Sequence, residues 1–239
     1  MTPKQQVAVM VGLFSALGIG VSVGIIAFGG GFAGGNASSI FSPPTAADIY
    51  VVGAQVKDGM SMGYTVDKAQ GQDTSLANAD VSITFHKAGD NNSGWRATFD
   101  IVNGTQGAPR QQFDIMYSKE LTKEGGVSAS VRPYLDPIEA SILAIRDMDY
   151  GGRDKYLVVG APWSTIVTGS TTPITVRVID EEKVTTPAGT FDAMVLGYKL
   201  NNNTSKIYVV KDLPMPVKAE TYDVNDQPYY KYELVSVTR

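Results

Sequence analysis

Alternation of apolar and polar positions predicts a chain built mostly of β-strands. The clearest stretch is Val184–Glu220, whose pattern predicts a β-hairpin. Within it, Phe191–Leu200 alternates over its whole length, and Lys206–Lys211 resumes the alternation after a polar turn. Pro187 fixes φ and Gly189 accepts a positive φ, so a tight turn is expected before the first of these strands.

The same periodicity predicts further strands on both sides of this hairpin. Val81–Lys87 and Trp95–Val102 form the clearest pair in the first half, because Asp90–Gly94 between them has the residues of a hairpin loop. Gly160–Trp163 predicts a tight turn that carries the tryptophan, and the two prolines in Leu213–Val217 interrupt the ladder. The other predicted strands are Asp48–Lys57, Gly63–Val66, Arg110–Tyr117, Tyr156–Gly160, Pro173–Glu181, Lys218–Asp223 and Tyr229–Val237.

One segment near the middle has the period of a helix instead. Asp136 is a suitable N-cap, Pro137 suits the first helical position, and Gly151-Gly152 is a suitable end. A helix with one apolar stripe must bury it, and a sheet is the surface that this chain offers. We therefore expect a mostly β (α+β) fold with this helix packed on the sheet. The stripe consists of Ile138, Ile142, Ile145 and Met148.

The N-terminal segment Val7–Phe28 is apolar, uncharged and long enough to cross a bilayer, which requires about 20 residues. Its length favours a single retained transmembrane helix, a signal anchor. A cleaved signal peptide is the alternative, with the small-residue pattern of Gly31–Ala33 as its cleavage site. Lys4 precedes the span and no positive cluster follows it, so the N-terminus is expected in the cytoplasm and Gly29–Arg239 outside.

Gly29–Thr45 has the composition of a linker, flexible in its glycine-rich half and stiffer at Pro43-Pro44. The expected organisation is a membrane helix in residues 1–28, a linker in 29–45 and an extracytoplasmic domain in 46–239.

Small residues recur at every fourth position of the expected membrane helix. On a helix they form one stripe where another backbone can approach closely, which indicates self-association or a partner membrane helix. The general frequency of glycine in membrane helices is the alternative explanation. The stripe consists of Ala8, Gly12, Ala16, Gly20 and Gly24.

Five asparagines stand in N-glycosylation sequons, at the linker or at expected hairpin ends. An outward-facing domain could accept glycans there, so the sequons agree with the expected topology. A cysteine-free outer domain with sequons suits an archaeal cell surface. The asparagines are Asn36, Asn91, Asn103, Asn202 and Asn203.

The chain has no cysteine and one histidine, which excludes disulfides, thiolate metal sites and multi-histidine metal sites. His86 lies on the polar side of its predicted strand and is expected to be solvated. Asp147–Asp154 resembles a calcium loop, but Val158 stands where that loop needs its glutamate ligand, so a solvated helix end is expected. Removing the +1 of Lys4 from the net charge of −4 leaves −5 on the rest. This acidic balance without a basic stripe argues against nucleic acid as a partner. We expect no cofactor.

Three runs carry a family resemblance: Gly160–Trp163, Glu182–Ala193 and Ile207–Lys218. They resemble the C-terminal half of lipoprotein-carrier-like half-barrels of the LolA, LolB and LppX type, over Lys155–Val237. The resemblance implies a strongly curved antiparallel sheet, a half-barrel, wrapped around a helix with an apolar hollow between them. Its motif residues are turn and packing positions, so it assigns no ligand-contact residue. A membrane helix in place of a lipid anchor departs from these carriers.

The resemblance implies a binding module for a lipid or other apolar ligand. With the expected membrane helix and no catalytic constellation, we expect a membrane-tethered, non-catalytic module. The alternative is a cell-surface structural or interaction protein, or an accessory subunit of a membrane complex, with a filled core. An enzyme is disfavoured because no catalytic constellation is recognisable. A connected apolar hollow of roughly several hundred Å3 favours the binding module, and tight packing favours the alternative. Either of two sets could line the hollow: Met194, Leu196, Tyr198, Tyr208 and Val210, or Phe191, Val195, Ile207 and Val209.

Overall fold

The alternating segments form thirteen strands in the computed structural model, which describes residues 45–71, 74–89, 94–104, 109–147, 155–166 and 173–239. The strands are β1 (Ile49–Tyr50), β2 (Ser61–Gln70), β3 (Ser75–Lys87), β4 (Gly94–Asn103), β5 (Gln111–Ser118), β6 (Lys123–Glu124), β7 (Lys155–Tyr156), β8 (Pro162–Ile166), β9 (Ile174–Thr186), β10 (Gly189–Lys199), β11 (Thr204–Val209), β12 (Lys218–Tyr222) and β13 (Pro228–Thr238).

Within the described ranges, eleven of these strands form one antiparallel sheet in the order β6-β5-β4-β3-β2-β13-β12-β11-β10-β9-β8. The other two, β1 and β7, pair with each other. Because β13 lies between β2 and β12, it joins the strands of the first half to those of the second. The expected mostly β fold with a large curved antiparallel sheet is confirmed, and β6 and β8 are its open edges.

A single row of side chains across the sheet shows how its concave face is buried. Cross-strand pairing connects one residue from each of six strands, and each is at most 3% exposed. The next positions along the strands, such as Lys206, Glu220 and Lys231, lie on the convex face. This alternation is the signal by which the sequence predicted the strands. The buried row is Leu196, Ile207, Ala219, Tyr232, Val66 and Ala79.

The helical segment begins earlier than predicted and is divided in two. Helix α1 spans Arg132–Glu139 and helix α2 spans Ala144–Asp147. The predicted start at Asp136 is wrong, because Pro133 takes the early helical position that we had assigned to Pro137. Pro137 lies inside α1, beyond its first turn, where the missing N–H removes the bond to the Pro133 carbonyl.

Three of the four residues of the predicted apolar stripe are buried, as predicted. Ile138, Ile142 and Ile145 belong to the core, and α1 contacts β2 and β3, whereas Met148 lies outside the described ranges. The segment comes close to Gly71 after β2, where a Cβ atom would stand 2.9 Å from the backbone nitrogen of Pro137. A side chain at Gly71 would therefore push the helix away from the sheet.

Two predicted strands are shorter than expected. Asp48–Lys57 is a strand only at β1, because the chain turns at Gly53 with φ of 82°. Tyr156–Gly160 is a strand only at its first residue, and Gly160 turns the chain with φ of 91°. Trp163 lies in strand β8 and not on a turn, so that prediction is wrong as well. A left-handed glycine ends a strand that alternation alone would continue.

Several predictions fall on residues outside the described ranges. These are the membrane span Val7–Phe28 with its small-residue stripe, the linker up to Pro44, Asn36 and Asn91, and most of Asp147–Asp154. In the part of the chain that the structure describes, no helix combines the length and the apolar character needed to cross a membrane.

Candidate functional site

A segment of the same chain is buried against the sheet. Leu213–Val217 connects β11 to β12, and all of its residues are buried. The Val217 N–H donates to the Tyr208 carbonyl at 2.9 Å, and the Val217 carbonyl accepts from the Leu234 N–H at 2.8 Å. We call Leu213–Val217 the inner segment.

Two tyrosines bind the carbonyl groups of the inner segment. The Tyr50 hydroxyl donates to the Leu213 carbonyl at 2.9 Å, and the Tyr64 hydroxyl donates to the Pro216 carbonyl at 3.1 Å. Burial raises the pKa of both hydroxyls above its ordinary value, so both stay protonated and can donate at neutral pH. Pro214 and Pro216 have no N–H, so these positions bring no backbone donor into the apolar interior.

The β10–β11 hairpin places its side chains differently from either predicted set. Leu196 pairs with Ile207, so both lie on the concave face, whereas Tyr208 pairs with Val195 on the opposite face. Each predicted set mixed residues of the two faces and is wrong in that respect. The turn fixes the register of the two strands, and a shift of one residue exchanges the faces.

A cleft of about 230 Å3 is lined by residues of β9–β11 and by two residues that flank the β1–β7 ladder. Met194 and Val209 pair across β10 and β11, and with Leu157 they provide its apolar surface. This volume lies below the range of about 300–1,000 Å3 that small-molecule sites occupy. We call this feature the side cleft. Its charged lining residues are Asp48, Glu181, Asp192 and Lys211.

The charged groups beside the β1–β7 ladder have partners within the domain. The Asp48 carboxylate accepts hydrogen bonds from the Thr45 hydroxyl at 2.7 Å and the Thr45 N–H at 2.8 Å. These bonds hold the pKa of the Asp48 carboxyl below its ordinary value. The Lys211 ammonium donates to the Ala47 carbonyl, so it is engaged as well.

The carboxylates on β9 and β10 differ in whether they have an ion-pair partner. Asp192 pairs with the Lys183 ammonium at 2.6 Å. Glu182 points to the convex face, where its carboxylate pairs with the Lys206 ammonium at 2.8 Å. Glu181 lines the side cleft, and its carboxylate has no hydrogen-bond or ion-pair partner among the residues that the structure describes.

A second recess, of about 220 Å3, lies on the convex face over Gly63. Its two carboxylates have partners: Asp100 binds Arg110, and Asp80 accepts from the Thr65 hydroxyl at 3.1 Å. Of the two, Asp100 is therefore paired with a cation.

The overlapping sequons at Asn202 and Asn203 lie in an exposed turn that is bonded to a second turn. The Asp226 carboxylate accepts from the backbone N–H groups of Asn202 and Asn203 at 2.9 and 2.8 Å. The Asn202 side-chain amide also donates to it, at 2.8 Å. These bonds, led by the one from Asn203, lower the pKa of the Asp226 carboxyl. Asn103 lies at the end of β4. Glycosylation at these positions stays a prediction.

His86 is partly exposed, and its Nδ1 lies 3.8 Å from the Asp58 carboxylate. Within the described ranges, no three His, Asp or Glu side chains are grouped so that they could hold a metal ion.

No family model and no curated protein sequence matches this chain. Among solved structures, it is similar to a Bacteroides fragilis protein described as exported, with a YmcC-like fold. That match has 12% identity and a TM-score of 0.37 over 80% of this chain and 100% of the other. It is also similar to MucB in complex with MucA(peri), at 11% identity and a TM-score of 0.40 over 77% of this chain and 51% of that one. The Pseudomonas aeruginosa MucA/MucB complex matches with 11% identity and a TM-score of 0.40, over 79% of this chain and 54% of that one.

The chain thus spans about half the length of the two MucB chains. These similarities are distant. They assign no residue, ligand or partner to this chain.

Proposed function

We propose that residues 46–239 form a non-catalytic, extracytoplasmic protein-interaction module, anchored in the membrane by Val7–Phe28. The burial of the inner segment, Leu213–Val217, is the observation that supports this function most directly. Its carbonyls accept hydrogen bonds from the hydroxyls of Tyr50 and Tyr64. With this segment packed into the core, the remaining surface, including the side cleft, is left for recognition.

Binding of a lipid or other apolar ligand on the concave face would require the inner segment to leave. Exposing Leu213, Met215 and Val217, which are fully buried, costs about 1.5–3 kcal/mol for each side chain. The total is comparable with the roughly 5–15 kcal/mol that stabilises a typical domain. A lipid would have to replace all of these contacts, and for this reason we favour protein recognition over ligand carriage.

The absence of catalytic activity is proposed from the residues that the chain offers. His86 is its single histidine, and cysteine is absent from the sequence. The buried hydroxyls of Tyr50 and Tyr64 are held by backbone carbonyls, and their raised pKa makes them poor proton donors and poor nucleophiles at neutral pH.

The function is tested by lipid analysis of the gently purified full-length protein. We expect no stoichiometric lipid, no saturable uptake of a fluorescent fatty acid, and a melting temperature that added phospholipid does not raise, because only a ligand of the folded state raises it. One lipid per chain, together with faster amide exchange at Leu213 and Val217, would show a displaced inner segment and would overturn the proposal.

The membrane anchor is tested separately by carbonate extraction and by protease treatment of intact cells. We expect the protein to stay with the membrane and the outer domain to be cleaved. A mature N-terminus near Gly34 would show instead that Val7–Phe28 is removed as a signal peptide.

A further inference from the structure

We infer that the side cleft receives one arginine or lysine side chain from an extended segment of the partner protein, with an apolar neighbour packed beside it. This inference rests on the proposed interaction function and names the chemistry of the partner. It commits to a basic, partly apolar peptide segment as the occupant.

The size of the side cleft fits one long side chain. Its volume is about 230 Å3, and binding sites for whole small molecules begin at about 300 Å3. An acyl chain or a folded ligand exceeds this space, whereas a single arginine or lysine stem does not.

The lining of the cleft matches the two ends of such a side chain. Met194, which is partly exposed, gives an apolar surface for the methylene stem, with Leu157 beside it and Val209 buried beneath. Long basic side chains bury their stems on such surfaces and keep the charged end near water. Glu181 supplies a carboxylate at the same cleft for that charged end.

Glu181 is the group that we expect to select a cation. Asp192 is ion-paired with Lys183, and the opposite charges of Asp48 and Lys211 act on each other across the cleft. Glu181 adds a further negative charge to the lining, with no ion-pair partner among the residues that the structure describes. The domain as a whole is acidic, which also favours a basic partner.

The position of Glu181 depends on a bulge in β9. Leu196 pairs with Val178 and Val195 pairs with Asp180, so Ile179 is an extra residue on β9. After this extra residue, the side chains of β9 that would have pointed to one face of the sheet point to the other. Glu181 therefore pairs with Met194 and faces the cleft, whereas Glu182 pairs with Ala193 on the other face.

The test uses full-length protein labelled with 13C at the methionine methyl groups and titrated with the peptide acetyl-Leu-Arg-Leu-amide. The Met194 methyl signal reports on the side cleft, and the exposed Met116 on β5 is the internal reference. Glu181→Gln and Glu182→Gln form a matched pair, because they remove the same charge from adjacent residues on opposite faces. A second peptide carries glutamine in place of arginine.

We expect a saturable shift of the Met194 signal with the arginine peptide and none at Met116. Glu181→Gln should weaken the apparent affinity at least tenfold, Glu182→Gln should leave it within twofold, and the glutamine peptide should bind at least tenfold more weakly. The inference is overturned if Met194 does not respond, if both variants weaken binding equally, or if both peptides bind equally. None of these results depends on lipid content, so a failure here is distinguishable from a failure of the proposed function.

Discussion

The Tyr64 hydroxyl donates a hydrogen bond to the Pro216 carbonyl at 3.1 Å and thereby joins the centre of the sheet to the inner segment. The ring of Tyr64 also meets Tyr232 edge-on, with centroids 5.7 Å apart. The inner segment is therefore held both by apolar packing and by a directed bond from the sheet that it covers.

Replacing Tyr64 with phenylalanine should destabilise the domain, because the buried Pro216 carbonyl would lose its partner. An unsatisfied buried polar group costs about 1–3 kcal/mol. Urea unfolding of the full-length protein measures the change. Tyr229→Phe is the control, since this tyrosine is 36% exposed. If the two variants were equally stable, the bond from Tyr64 would contribute nothing.

Replacing Met215 with alanine should cost about 2–5 kcal/mol, the range for truncating a large buried side chain in a packed core. Met215 has no exposed surface. Met116→Ala, at a residue that is 39% exposed, should change the stability by less than about 0.5 kcal/mol. A small effect at Met215 would mean that the concave face is loosely filled.

Replacing Gly71 with alanine should destabilise the domain by about 1–3 kcal/mol, the usual cost of inserting atoms into a packed contact. The new methyl group would stand 2.9 Å from the backbone nitrogen of Pro137. Because this nitrogen belongs to α1, the contact can be relieved only by a shift of the helix. Gly126→Ala is the matched control, because no atom lies within 4 Å of a Cβ atom there. Thermal unfolding compares them, and equal melting temperatures would show that α1 does not press on Gly71.

Replacing Ile142 with aspartate should unfold the domain. The side chain is fully buried in the core, and an unpaired buried charge costs several kcal/mol, a large part of the ~5–15 kcal/mol available. Val224→Asp, at a residue 55% exposed, should be tolerated. Circular dichroism and protease resistance distinguish the two. A folded Ile142→Asp protein would place the helical segment outside the core.

Replacing Asp226 with alanine should destabilise the domain at pH 7, and the loss should shrink as the pH falls below about 3.9. The folded pKa of Asp226 is lowered, so its contribution is present above the unfolded pKa, about 3.9, and is lost as the pH falls through the folded value. Unfolding curves across this range should show the gap between variant and parent closing. Asp212→Ala, at an exposed aspartate outside both turns, is the control and should show no such closing. A gap that is constant with pH would mean that the bonds to Asp226 do not depend on its charge.

Strands with a regular alternation were predictable from the sequence. The predicted strand Trp95–Val102 lies within β4. The prediction succeeded because Ala97, Phe99 and Ile101 face the core, whereas the residues between them face outward. Asp48–Lys57 and Tyr156–Gly160 were predicted too long, because a positive φ at Gly53 and Gly160 leaves no trace in hydrophobic periodicity.

The residues of the site were harder to predict because they depend on register. Glu181 and Glu182 are equivalent in the sequence, and only the extra residue Ile179 decides which of them faces the side cleft. The prolines of the inner segment correctly predicted an interruption of the ladder. Its burial depends on Tyr50 and Tyr64, which are far away along the chain.

The central position of β13 has a consequence for how the chain folds. β13 lies between β2 and β12, so β2 lacks its second neighbour until residues 228–238 reach it. Such long-range pairing makes folding slow, typically milliseconds to seconds for sheets of this kind, and leaves a strand edge exposed meanwhile. For the exported domain that we propose, this order would mean that the sheet cannot be completed until residues 228–238 have crossed the membrane.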